Sequence, residues 1–169
     1  MLIYNEKHEF GIMWNVCIVA DASWIYGNIN FIIGGEIFPK KFAINFTLGT
    51  VFYNLKNDIR NCIKNSKNKE LGNRKIDYCK LNNGEEENIF DISPVELGDK
   101  VGEQCAANCL RLYLGYSGND ERLFYSDDFG ETYKEVRMPR GTVENIIMQL
   151  PDTYSELLDN KNNVIIEVS

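Results

Sequence analysis

The chain has 169 residues, with 18 basic and 25 acidic side chains for a net charge of −7. That length suits one domain with a sizeable core, and the acidic balance disfavours nucleic acid as a direct ligand, since phosphate contacts need clustered Lys and Arg. No signal-type leader follows Met1, and no run approaches the roughly 18 apolar residues of a spanning helix, so the expectation is a cytosolic protein with no membrane association.

Taken in chain order, Phe10, Ile12, Trp14, Val16, Ile18 and Ala20 alternate with more mixed residues. Period two marks a strand with one apolar face. Asp21-Ala22-Ser23 reads as a turn, and Trp24 leads into a second strand with Ile29, Phe31 and Ile33 on one face and Asn28 and Asn30 on the other. Gly34-Gly35 signals a hairpin, and Pro39 must end the return strand or lie at an edge. Trp14 and Trp24 are expected in or near the core.

A helix follows, with Thr47 as its candidate N-cap. Leu48, Val51, Phe52, Leu55, Ile59, Cys62 and Ile63 form the inward stripe, and Lys56, Asp58, Arg60 and Lys64 lie on the other sides. Residues 65–87 are rich in Asn, Lys and Glu, with a brief apolar cluster at Ile76, Tyr78 and Leu81, and read as an exposed loop or insertion. Asp91 or Ser93 can cap a helical turn from Pro94. Leu110 to Tyr116 alternates as a strand, Ser117 to Asp120 is a turn, and Arg122–Ser126 and Tyr133–Met138 are further strands. Thr142 is expected to cap a helix carrying Val143, Ile146, Ile147 and Leu150, stopped by Pro151. Tyr154 to Leu158 adds a turn of helix, and residues 164–168 a last short strand. The expected fold is α+β, an antiparallel meander sheet with amphipathic helices packed on one face, in a single domain over residues 1–169.

The chemistry-bearing residues are sparse. His8 is the only histidine, so no Ser–His–Asp or Cys–His site can be assembled without it. Five cysteines, Cys17, Cys62, Cys79, Cys105 and Cys109, read as buried reduced thiols. Cys105 and Cys109 can share a helix face, but no second ligand pair accompanies them for zinc. No catalytic residue, metal or cofactor is expected.

Ser126-Asp127-Asp128-Phe129-Gly130-Glu131-Thr132-Tyr133 fits the Asp-box pattern Ser-x-Asp-x-Gly-x-Thr-aromatic. It is a hairpin device: Ser126 and Asp128 bond the turn, Gly130 takes the demanding backbone angles, Thr132 closes it and Tyr133 packs beneath. In sialidase-like propellers the motif recurs once per blade; here it occurs once, which favours a structural role over sugar binding. Two acidic groups stand out, Glu85, Glu86, Glu87, Asp91, Glu96, Asp99 and Glu103, opposed nearby only by Lys100, then Asp120, Glu121, Asp127, Asp128, Glu131 and Glu135. Together they form a field that would attract a basic protein.

Phe10-Gly11-Ile12, Trp24-Ile25-Tyr26-Gly27, Phe31-Ile32-Ile33-Gly34-Gly35 and Leu48-Gly49-Thr50 together resemble immunity protein family 42 of bacterial polymorphic toxin and contact-dependent inhibition systems. The likeness is firmest over residues 10–63, and Leu123-Phe124-Tyr125-Ser126 extends it thinly. The resemblance implies a non-enzymatic antitoxin that binds and blocks the toxic C-terminal domain of a large effector, a basic nuclease being the expected target. On that reading Glu85, Glu86, Glu87, Asp91, Glu96 and Asp99 engage the toxin, with Asp127 and Glu131 as a second set. The alternative is a carbohydrate-binding Asp-box module or another non-catalytic cytosolic interaction protein. Nothing in the residues sets the oligomeric state.

Overall fold

A computed structural model describes residues 1–7, 9–21, 24–40, 46–66, 69–94, 110–159 and 165–168. The chain opens with a short strand, β1 (Leu2–Asn5). The first alternating run forms β2 (Phe10–Asp21), paired antiparallel with β3 (Trp24–Ile33). Phe10, Ile12 and Trp14 are buried on the same side as Ile25, Ile29, Phe31 and Ile33. Trp24 corrects the sequence reading. It is 43% exposed, because its parity in β3 places it with Tyr26, Asn28 and Asn30 on the outer face. Register shifts follow Val16 and Val19, so strict period two does not extend along the whole of β2.

Gly34 and Gly35 have φ of 59° and 82°. Both central residues are therefore left-handed, the requirement of a two-residue type I′ hairpin. The return strand is β4 (Glu36–Phe38), and Pro39 follows directly after it. A two-residue strand, β5 (Phe46–Thr47), pairs with Tyr26 and Gly27. It leads into α1 (Leu48–Ser66), whose buried face carries Leu48, Val51, Phe52, Leu55, Ile59 and Cys62 as the spacing predicts. Lys56 departs from expectation: it is 2% exposed, and its Nζ meets the Asp152 carboxylate at 2.7 Å. Its aliphatic stem joins the stripe and its head reaches the exposed Asp152.

Residues 69–87 differ from the expected exposed loop. Leu71, Ile76 and Leu81 are buried in a small second cluster with Tyr113 and Phe124. The segment contains α2 (Tyr78–Asn82), capped by the Asp77 carboxylate, which accepts from the N–H groups of Cys79 and Lys80. The Leu71 N–H donates to the Tyr116 carbonyl at 2.7 Å. The polar residues between these anchors, among them Asn73, Lys75 and Lys80, remain exposed.

The helical turn expected from Pro94, with Asp91 or Ser93 as its cap, lies outside the described residues. Asp91 ends β6 (Ile89–Asp91), and its Oδ1 accepts from the Ser93 N–H. β7 (Arg111–Ser117), β8 (Asp120–Ser126) and β9 (Lys134–Pro139) complete a four-stranded antiparallel sheet in the order β6-β7-β8-β9. Both faces of β7 and β8 are buried, one on the main core and the other beneath residues 71–81.

α3 (Thr142–Ile147) is capped from a distance. Its N-cap is Gly141 rather than Thr142, and the buried Glu121 carboxylate accepts from the N–H groups of Gly141 and Val143 at 3.1 and 2.7 Å. Burial pushes this carboxyl up to about 7 against the lowering effect of those donors. The Thr142 hydroxyl instead donates to the Pro139 carbonyl. After α4 (Tyr154–Asp159), β10 (Ile165–Val168) returns parallel to β1.

The first sheet therefore runs β10-β1-β2-β3-β4, with β5 also on β3. One core joins it to α1, α3 and the second sheet. Trp14 meets Phe52 edge-on at 5.2 Å, and Phe38 meets Tyr125 at 5.0 Å across the two sheets. The fold class is α+β, with two sheets rather than one and a parallel pair at the chain ends.

Candidate functional site

The Asp-box forms as its side chains dictate. Ser126 Oγ donates to Asp128 Oδ1 at 2.5 Å and accepts from the Gly130 N–H at 2.8 Å. Asp128 also accepts from the Thr132 N–H at 3.0 Å and from the Thr132 hydroxyl. Gly130 sits at φ 90°, and a Cβ there would meet Asn82 Oδ1 at 2.6 Å. Tyr133 packs beneath, stacked on Tyr78 at 5.0 Å, with its hydroxyl donating to Asn82 Oδ1. Asn82 Nδ2 in turn donates to the Gly130 carbonyl at 2.9 Å. α2 and the β8–β9 connection, 48 residues apart in sequence at this bond, are thereby fastened together.

Hydrogen bonds from Ser126 and Thr132 hold the Asp128 carboxyl down to about 2. A depressed carboxylate contributes stability that is fully present above its unfolded value and is lost as pH falls through the folded one. Asp128→Asn is expected to destabilise the protein by about 1–2 kcal/mol at neutral pH. It should also flatten the part of the acid unfolding profile lying between the ordinary carboxylate range and about 2. Denaturant titrations across that window check both effects.

The structure divides the acidic residues into engaged and free groups. Glu86 bonds Arg74 at 2.6 Å and accepts from the Asp77 N–H at 2.8 Å, with its side chain 5% exposed. Asp91 is tied to Ser93, and Asp128 to its own turn. Asp127 is half-buried and adds to the field that raises the Lys40 pKa, after the hydrogen bond and charge of Glu36. Glu85, Glu87 and Glu131 are exposed. Glu96 and Asp99 lie outside the described residues, as do His8, Cys105 and Cys109. Of the described cysteines Cys62 is buried, whereas Cys17 and Cys79 are exposed, a correction to the expectation of buried thiols. Among the described residues, no three His, Cys, Asp or Glu side chains converge as a metal would need.

Sequence reasoning passed over the exposed aromatic and apolar side chains. Val19, Trp24, Ile37, Tyr53, Tyr78 and Phe129 are all exposed. A groove of about 640 Å³ beside β4 is lined by Met13, Asn30, Glu36, Ile37, Pro39 and Lys40. Parity within β3 carried the signal for Trp24: counting outward from buried Ile25 puts it on the far face. No helix among the described residues is long and apolar enough to cross a membrane.

Comparison with known proteins adds to this geometry. An uncharacterised protein of Pasteurella multocida (strain Pm70) is 26% identical over 166 residues, spanning 88% of this chain and 96% of that protein. The crystal structure of CdiI from Burkholderia dolosa AUO158 has a similar fold, with a TM-score of 0.58 and 17% identity over 95% of this chain and 99% of that one. A family described as immunity protein 42 matches residues 1–153, well beyond the stretch 10–63 where the resemblance is firmest. The chain belongs to the immunity protein 42 family.

Proposed function

We propose that this protein neutralises a cognate toxin in the cell that makes it, by binding the toxin domain rather than by catalysis. The observation that carries the reading is the family match over residues 1–153. The shared fold with CdiI supports assignment to a contact-dependent inhibition system. The proposed target is a nuclease with a basic substrate cleft, which an acidic inhibitor of net charge −7 would approach rapidly.

Of the carboxylates expected to meet the toxin, Glu85, Glu87 and Glu131 are exposed and Asp127 is half-buried. Because exposed charges act chiefly on encounter, the triple variant Glu85→Gln, Glu87→Gln, Glu131→Gln should slow association several-fold at low salt. The difference should fade as salt screens it. Stopped-flow association at two ionic strengths checks this, and an unchanged low-salt rate would sink the charge-steering component. The function itself is tested by calorimetry with the toxin domain encoded beside this chain and by growth on co-expression. Tight binding with rescue supports immunity; absence of both refutes it for that pair.

A further inference from the structure

The outer face of the first sheet is chemically unlike the rest of the molecule. Asp21, paired with Trp24 at one end of the face, is the single charged residue between Phe10 and Ile33. On this face Trp24, 43% exposed, stacks on Tyr26 with ring centroids 6.4 Å apart and planes 14° apart. Asn15 stands opposite Asn28 and Met13 opposite Asn30. Ile32 is paired with Ile37, which is 50% exposed beside the groove. The groove's two charges, Glu36 and Lys40, bond each other at 2.9 Å, so it presents little net charge. The ten residues of β3 give the face a length of about 30 Å.

We propose that this charge-poor outer face, from Trp24 to Ile37, is where the cognate toxin seats. The inference rests on the immunity reading and names the surface that reading requires. Interface cores are depleted of charge and enriched in Trp, Tyr and Met, and Trp and Tyr supply most hot spots. Asn amides both donate and accept, and they are buried at far lower cost than carboxylates. Charge selects the occupant. A molecule of net charge −7 repels a second copy and attracts a cationic protein. The free carboxylates steer the toxin, and the neutral face holds it. Asn15, Asn28 and Asn30 then set register through amide hydrogen bonds.

The test is calorimetry of the full chain with the toxin domain encoded beside it, for wild type, Trp24→Ala, Ile37→Ala and the double variant, with melting and light scattering on each. Trp24→Ala is expected to raise Kd at least about tenfold and the double variant further, with melting unchanged, since both side chains are exposed. A double variant that binds within about twofold of a tightly binding wild type would overturn this surface and leave the immunity reading standing. A wild-type chain that neither binds the toxin nor rescues growth would overturn both. Dimers dispersed by Trp24→Ala with toxin affinity retained would assign the face to a second copy and overturn the proposal.

Discussion

Arg122→Ala is expected to unfasten residues 69–82 from the second sheet and to lower stability by about 3 kcal/mol. Arg122 is 3% exposed, yet each of its three guanidinium nitrogens is hydrogen-bonded. Its Nε and Nη2 fork Glu135 at 2.8 and 2.9 Å, and its Nη1 donates to the carbonyls of Gly72 and Arg74 at 2.7 and 3.0 Å. The guanidinium lies over Phe124, 5.0 Å from the ring centroid. Removing it strips the carbonyls of Gly72 and Arg74 of this donor, leaves the Glu135 carboxylate to Arg137 alone and opens a space beside the small core of Leu71, Ile76 and Leu81. Lys would restore the charge without the planar fork, so Arg122→Lys should recover only part of the loss. The effect should be local before it is global. The amides of Leu71 and Gly72, which donate to the Tyr116 carbonyl, should exchange with solvent far faster, while those of β2 and β3 change only with global stability. Uniform acceleration at all sites would show that Arg122 serves the whole fold rather than this segment.

Gly27→Ala is expected to cost about 3 kcal/mol, the upper range for overpacking. A Cβ at this position would lie 2.0 Å from the Asn15 carbonyl oxygen and 2.7 Å from Leu48 Cδ1. The first clash is with backbone, which cannot rotate away, and the second is with the first residue of α1. Gly27 lies where three elements converge: it pairs with Val16 next to a register shift, and with Phe46 of β5. Added bulk must displace β2 or lift the start of α1 off the sheet. Thermal unfolding should show the loss, and near-ultraviolet circular dichroism should report altered packing of Trp14, which contacts Phe52 of the same helix. Gly49→Ala is the matched control. It lies in the first turn of α1 with nothing within 4 Å of the added Cβ, and Ala favours the helix by about 1 kcal/mol.

Both variants fall where neighbours in space are distant in sequence, and the same distinction separates what could be read in advance from what could not. The stripe from Leu48 to Cys62 was legible because helical geometry alone brings residues three and four apart to one face. Lys56 was misplaced because its partner, Asp152, lies far along the chain. Gly34-Gly35 announced its turn because both positions demand positive φ. β1, β5 and β6 escaped notice because strands of two to four residues have too little periodicity and, unlike β4 after Gly34-Gly35, these have no adjoining turn signal to mark them. In the second sheet β7, β8 and β9 were legible from their own residues, but the covering of the sheet's other face by Leu71, Ile76 and Leu81 was not.

The candidate site follows the same rule. The Asp-box was readable because its bonds run within the eight residues from Ser126 to Tyr133. The acidic set was readable as composition and not as availability. Glu86 is engaged by Arg74, and Asp91 by Ser93 within a strand end.

By itself the sequence determined the family, the α+β class, the first hairpin, the main helix and the acidic character, since each depends on residue types at short spacing or on summed charge. Only the tertiary structure decided that two sheets share one core, that Trp24 faces outward, and that Glu85, Glu87 and Glu131 are exposed while Glu86 is held by Arg74. Exposure and pairing are properties of neighbours in space. They are set once loop closure brings distant segments together, when each polar group must find a partner or keep its water.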